Sequence, residues 1–143
     1  MTIFRAALAA LALATPALPA LAQTADMDAA IAGLKLQDVQ RHPGQHGPDA
    51  TGTLPDGQIV ALDFERDGRL EEIKTPDGSF APLTAIGAAL PQAVREAPSL
   101  SGARFHEVEF DGDGIEIEGR TADDRPFKAE FDRTGTMTEW KID

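Results

Sequence analysis

The stretch Asp56 to Lys74 (DGQIVALDFERDGRLEEIK) aligns without a gap on Asp123 to Lys141 (DDRPFKAEFDRTGTMTEWK), 67 positions further along the chain. The shift superposes Val60 on Phe127, Phe64 on Phe131, Arg66 on Arg133, Gly68 on Gly135, Leu70 on Met137, Glu72 on Glu139 and Ile73 on Trp140. A match at fixed spacing predicts two copies of one supersecondary unit, each of which needs the other to cover its apolar face. Val60, Leu62 and Phe64 alternate with Ala61, Asp63 and Glu65, the pattern of a half-buried strand. Each copy then turns at Arg-x-Gly, where Gly68 and Gly135 supply a positive φ, and returns as a second strand.

The N-terminus reads as a signal sequence to be cleaved, residues 1–22. One charge, Arg5, precedes the Ala/Leu-rich run Ala6–Ala14, then come Pro16, Pro19 and the small-x-small site Ala20-Leu21-Ala22. The run is too short for a membrane span, and no stable membrane insertion is expected after cleavage. The expected location is the periplasm or the exterior, with the mature chain starting at Gln23. All 24 acidic residues fall after Ala22, together with 12 of the 13 basic ones. An acidic excess of that size argues against nucleic acid and favours basic partners. No cysteine is present, so an exported chain must rely on its core alone.

Met27, Ile31, Leu34 and Val39 recur at helical spacing and predict a helix over 26–41, ended by Pro43-Gly44. The segment His42 to Asp49 is loop, and Thr51 to Leu54 a short strand. Strands follow at Gln58–Glu65 and Arg69–Lys74. Ile86, Leu90, Val94 and Ala97 predict two short helices, 84–90 and 91–97, with Pro91 opening the second. Four strands complete the chain, at Ala103–Phe110, Ile115–Arg120, Pro126–Asp132 and Thr136–Ile142. Short connections make neighbours antiparallel, and helix followed by meander indicates an α+β fold with helices on one face of a curved antiparallel sheet. Shifting the first helix by 55 positions pairs Ile31 with Ile86, Val39 with Val94 and Pro43 with Pro98. The layout is thus a first, shorter unit at 23–80 and a second at 81–143, sharing one sheet.

Helix followed by a meander with apolar-x-apolar-x-Phe-Asp-x-x-Gly-x-Met/Leu-x-Glu resembles the PepSY-like domains. The residues concerned are Leu90-Pro91-x-Ala93-Val94, Pro98, Val108, Ile115-Glu116-Ile117, Phe127–Asp132 and Gly135-x-Met137-x-Glu139. In tandem, such units resemble the β-lactamase inhibitor protein fold. The resemblance implies an exported binding or inhibitor-like module and supplies no catalytic residues.

No residue set predicts catalysis, a cofactor or a metal. Ser79, Ser99 and Ser101 lie in loops without a nucleophile elbow. His42 and His46 are separated by Pro43-Gly44, and no cysteine completes a zinc set with them or with His106. Asp111-Gly112-Asp113-Gly114 reads as a hairpin turn, since position 12 of a calcium loop would be Ala122; incidental Ca²⁺ contact is the alternative. Trp140 matches Ile73 and is read as a packing residue. The candidate binding surface is the sheet face opposite the helices, with Asp63, Glu65, Glu116, Glu118, Glu130 and Asp132, interrupted by Lys128 and Arg120. It would dock a basic protein or peptide. The alternative is a periplasmic protein that uses the same acids for a small ligand or cation.

Overall fold

The computed structural model describes residues 20–143 with the exception of Gln45; the expected signal sequence lies outside them apart from residues 20–22. The chain runs α1 (Ala20–Gly33), β1 (Gln37–Arg41), β2 (Ala50–Thr53), β3 (Ile59–Phe64), β4 (Leu70–Lys74) and β5 (Ala81–Pro82). A 3-10 segment, Leu83–Ala89, then leads to α2 (Gln92–Arg95) and a second 3-10 turn, Pro98–Leu100. The remainder is β6 (Arg104–Phe110), β7 (Gly114–Arg120), β8 (Pro126–Asp132) and β9 (Met137–Ile142). The nine strands of the described residues join one antiparallel sheet in the order β1-β2-β3-β4-β6-β7-β8-β9, with β5 paired to the start of β6, and with the helices they make an α+β fold.

The helical side of the sheet is built on one cross-strand row. Ala50, Leu62, Ile73, Val108, Ile117 and Ala129 lie directly opposite one another from β2 to β8, and all are fully buried. Leu34, Leu83, Ile86, Leu90, Val94 and Leu100 close over them in the same cluster. Burying each Val, Leu or Ile stabilises the fold by about 1.5–3 kcal/mol. Trp140 ends the row on the outermost strand, where it is half-buried and stacked on Phe127 at 5.0 Å.

The hairpins β3–β4 and β8–β9 pair in corresponding registers. Ala61 faces Lys74 as Lys128 faces Lys141, and Phe64 faces Leu70 as Phe131 faces Met137. Both carry a bulge at the same place, leaving Glu71 and Thr138 unpaired. Gly68 and Gly135 have φ of 92° and 84°, and each donates to a carbonyl three residues back. At Gly135 a Cβ would lie 2.8 Å from the Cβ of Ala93, so the turn is also closed from above by α2.

Three expectations change. The helix predicted over 26–41 ends at Gly33. Lys35 adopts φ of 54°, Leu36 donates to Ile31 and Lys35 to Ala32, the paired bonds that close a helix end with a left-handed residue. Val39 therefore belongs to an unforeseen strand, β1, itself bulged between Gln37 and Gln40 with Asp38 at φ of 50°. The second helical region is mostly 3-10, kinked at Ile86, and Pro91 is the N-cap of a four-residue helix rather than its first residue. Phe64, which the repeat superposes on Phe131 and so predicts to share its burial, is only half-buried.

Candidate functional site

Side chains alternate along a strand, so the residues beside the apolar row face the other way. On that open face the register produces a second row: Asp63, Glu72, Glu109, Glu116, Glu130 and Glu139 lie directly opposite one another on six neighbouring strands. Five strand spacings make it about 24 Å long. One step along lies Ala61, Lys74, Glu107, Glu118, Lys128 and Lys141. Arg104 faces Arg120 one step further on, and both guanidinium groups lie over the Phe80 ring, at 5.6 and 5.5 Å. The open face is thus graded from an acidic row to a basic corner.

The lysines of the middle row partly neutralise the acids. Lys74 Nζ lies 3.2 Å from Glu107 and 3.5 Å from Glu72; Lys128 Nζ lies 2.7 Å from Glu116 and 3.5 Å from Glu130. Lys141 lies 2.8 Å from Glu139, and His106 lies 3.6 Å from Glu118. Among the described residues, no cation lies within ion-pair distance of Asp63 or Glu109.

Of the residues singled out from sequence, Asp63, Glu116, Glu118 and Glu130 take these places. Glu65 lies just past the end of β3 in the hairpin turn. Asp132 ends β8, and its carboxylate accepts from Thr134 N–H (2.8 Å), Thr134 Oγ1 (2.6 Å) and Thr136 N–H (3.0 Å), which commits it to the turn. Sequence reasoning missed Glu72, Glu109 and Glu139. The repeat already aligns Glu72 with Glu139, a signal that could have found two of them.

The row shifts its own protonation. Partial burial raises the Glu109 carboxyl above its ordinary range, and the charges of Glu116, Glu107 and Glu118 raise it further. Burial, then Asp49, raises Asp63. Burial, then the neighbouring Glu107, raises Glu72. Glu72 Oε1 is shut off from water without a hydrogen bond, its 3.5 Å approach to Lys74 being an ion contact only. Glu107 is also penalised by burial, but hydrogen bonds from Lys74 and Glu72 outweigh that and hold it low.

A stability profile follows from these directions. Asp63, Glu72 and Glu109 bind protons in the folded state at pH values where the unfolded chain has released them. Their unfavourable contribution is present above the raised values and vanishes as pH falls to the ordinary carboxylate range near 4. Asp132 and Glu139, held low by hydrogen bonds from Thr134 and Lys141, act in the opposite sense, but only below that range. The melting temperature is expected to rise on mild acidification from neutrality and to fall below about pH 4. A monotonic fall from neutral pH, measured by circular dichroism, would contradict the raised carboxyls.

Asp111 accepts the N–H groups of Asp113 (2.6 Å) and Gly114 (2.9 Å), so its carboxylate closes the β6–β7 hairpin. Among the described residues, no three His, Asp or Glu side chains are grouped to hold a metal ion, and no helix is long and apolar enough to cross a membrane. His42 reaches Thr51 at 3.4 Å, while His106 packs edge-on to Phe80.

No family model and no curated protein matches the chain. Among solved structures it is similar to a candidate calcium-regulated periplasmic protein from Bacteroides thetaiotaomicron, at 16% identity over 87% of this chain and 91% of that one, with a TM-score of 0.43. At that identity and score the likeness assigns neither fold nor ligand to this chain.

Proposed function

We propose that this chain is an exported, non-enzymatic, PepSY-like binding protein of two related units, 23–80 and 81–143, whose open sheet face docks a basic protein or peptide. The corresponding hairpin registers support the two-unit reading, and the signal-like N-terminus supports export.

The acidic row supports the docking. A sheet face needs charge to stay wetted, but charges of alternating sign on neighbouring strands serve that end and attract one another. Like charges directly opposite one another are destabilising. A row of six acids in register therefore costs stability, with Asp63 and Glu109 left without an ion pair among the described residues. A partner presenting cations across the strands removes that cost, so the repulsion in the free protein becomes attraction in the complex.

A partner captured from the exporting cell and titrated against the pure protein is expected to bind more weakly as salt rises, because exposed charges are screened over about 8–10 Å. Reversing Glu109, Glu116 and Glu130 to Lys is expected to abolish binding and leave the fold intact, since all three point away from the core. Undiminished binding by a folded triple variant would reduce the row to a wetted surface.

A further inference from the structure

The two outer strands of the sheet are treated differently. β1 is blunted by its bulge, by the left-handed Asp38 and by exposed Gln37, Asp38, Gln40 and Arg41. Among the described residues β9 hydrogen-bonds β8 alone; its one bulge is at Thr138, and from Glu139 to Ile142 it runs regularly, contains neither Gly nor Pro, and carries half-buried Trp140 beside Ile142, 36% exposed. Among the described residues Ile142 is one of only two large exposed apolar side chains. Natural sheets protect such an edge with charge or distortion, and a regular apolar edge is a template for another strand. The only charges on β9, Glu139 and Lys141, already pair with each other at 2.8 Å and leave the strand neutral.

We infer that β9 is a self-association edge, and that its occupant is β9 of a second copy of this chain. The argument is the sequence Glu139-Trp140-Lys141, whose charges invert about Trp140. In an antiparallel, two-fold pairing centred there, Trp140 lies opposite Trp140 of the second copy. Glu139 then lies opposite Lys141 twice, on the open face, where opposite charges attract across strands. The hydrogen-bond phase agrees. Asp143 donates to the Pro126 carbonyl at 3.1 Å, and Lys141 faces Lys128, so these residues turn their backbone groups toward β8. Trp140 and Ile142 alternate with them and turn theirs to the free edge. That is the phase in which Trp140 exchanges both of its backbone hydrogen bonds with its counterpart. On the helical side, the pairing covers the exposed flank of Trp140 and Ile142.

Sedimentation equilibrium from micromolar to millimolar protein tests this, with emission from Trp140, the sole tryptophan, as a second readout. The wild type is expected to pass from monomer to dimer with a blue shift in emission. Glu139→Lys and Lys141→Glu each place two like-charged pairs in register and are expected to weaken the dimer about tenfold or more. The double variant Glu139→Lys/Lys141→Glu restores two opposite pairs and is expected to recover wild-type association. Both positions are on the open face outside the core, so folding survives and is checked by melting. A protein that stays monomeric throughout, a dimer indifferent to both single reversals, or a double variant as weak as the singles would each overturn the inference.

Discussion

Phe131→Ala is expected to cost about 3–5 kcal/mol of folding stability, and Phe64→Ala distinctly less, although the sequence repeat makes the two residues equivalent. Phe131 is 3% exposed, with Ile115 and Met137 opposite it on the flanking strands. Above the neighbouring turn α2 comes down until Ala93 meets Gly135, so the removed ring leaves a hole with little means of collapse. Phe64 is half-buried, and its cross-strand partner Leu70 lines a cavity of about 250 Å³ together with Ala29, Gly33, Ala88 and Phe110. Small side chains on α1 and on the 3-10 segment leave that end of the layer loosely filled, so truncation there forfeits fewer contacts. Urea unfolding of both variants at matched slope measures the difference. Equal losses would mean that the two ends pack alike, and a neutral Phe131→Ala would invert the assignment of the faces.

What could be read from the sequence was local. The hairpins and the turn glycines are specified by residues a few positions apart, and the period-2 alternation of β7 and β8 identifies the face carrying Glu116, Glu118 and Glu130. The helix end was not legible, because Val39 continues the helical period by coincidence while Lys35 takes a backbone conformation that its side chain does not advertise. The acidic row was half legible for a related reason. Alternation assigns a face within one strand, but bulges at Glu71, His106 and Thr138 each shift that alternation by one residue. Glu72, Glu109 and Glu139 join the row only once those shifts and the β4–β6 pairing are fixed. Asp132 shows the converse error: alternation gives it the open face, yet the turn that follows recruits its carboxylate.

Gly119→Ala is expected to destabilise the protein by about 1–3 kcal/mol or more, the size of an overpacked core, although it adds a single methyl group. Gly119 lies on β7 opposite Phe105, the largest fully buried side chain. A Cβ at that position would run into the Arg104 carbonyl and lie 2.8 Å from the Phe105 Cα, so backbone rather than a mobile side chain would have to move. Phe105 and Phe127, its neighbours on either side, are both buried and cover the gap that the missing side chain leaves. Gly33→Ala is the control: nothing lies within 4 Å of a Cβ there, and alanine in place of glycine at a helix end on the rim of the α1 cavity is expected to be neutral or stabilising by up to about 1 kcal/mol. The close approach at Gly119 also adjoins the bulge at His106, after which Glu107 faces Glu118 and Glu109 faces Glu116. A Gly119→Ala protein that melts with the wild type would show that β6 and β7 are not packed in this register, and the acidic row would be broken between Glu109 and Glu116. A large loss confined to Gly119, with Gly33→Ala unharmed, supports the strand pairing on which the docking face depends.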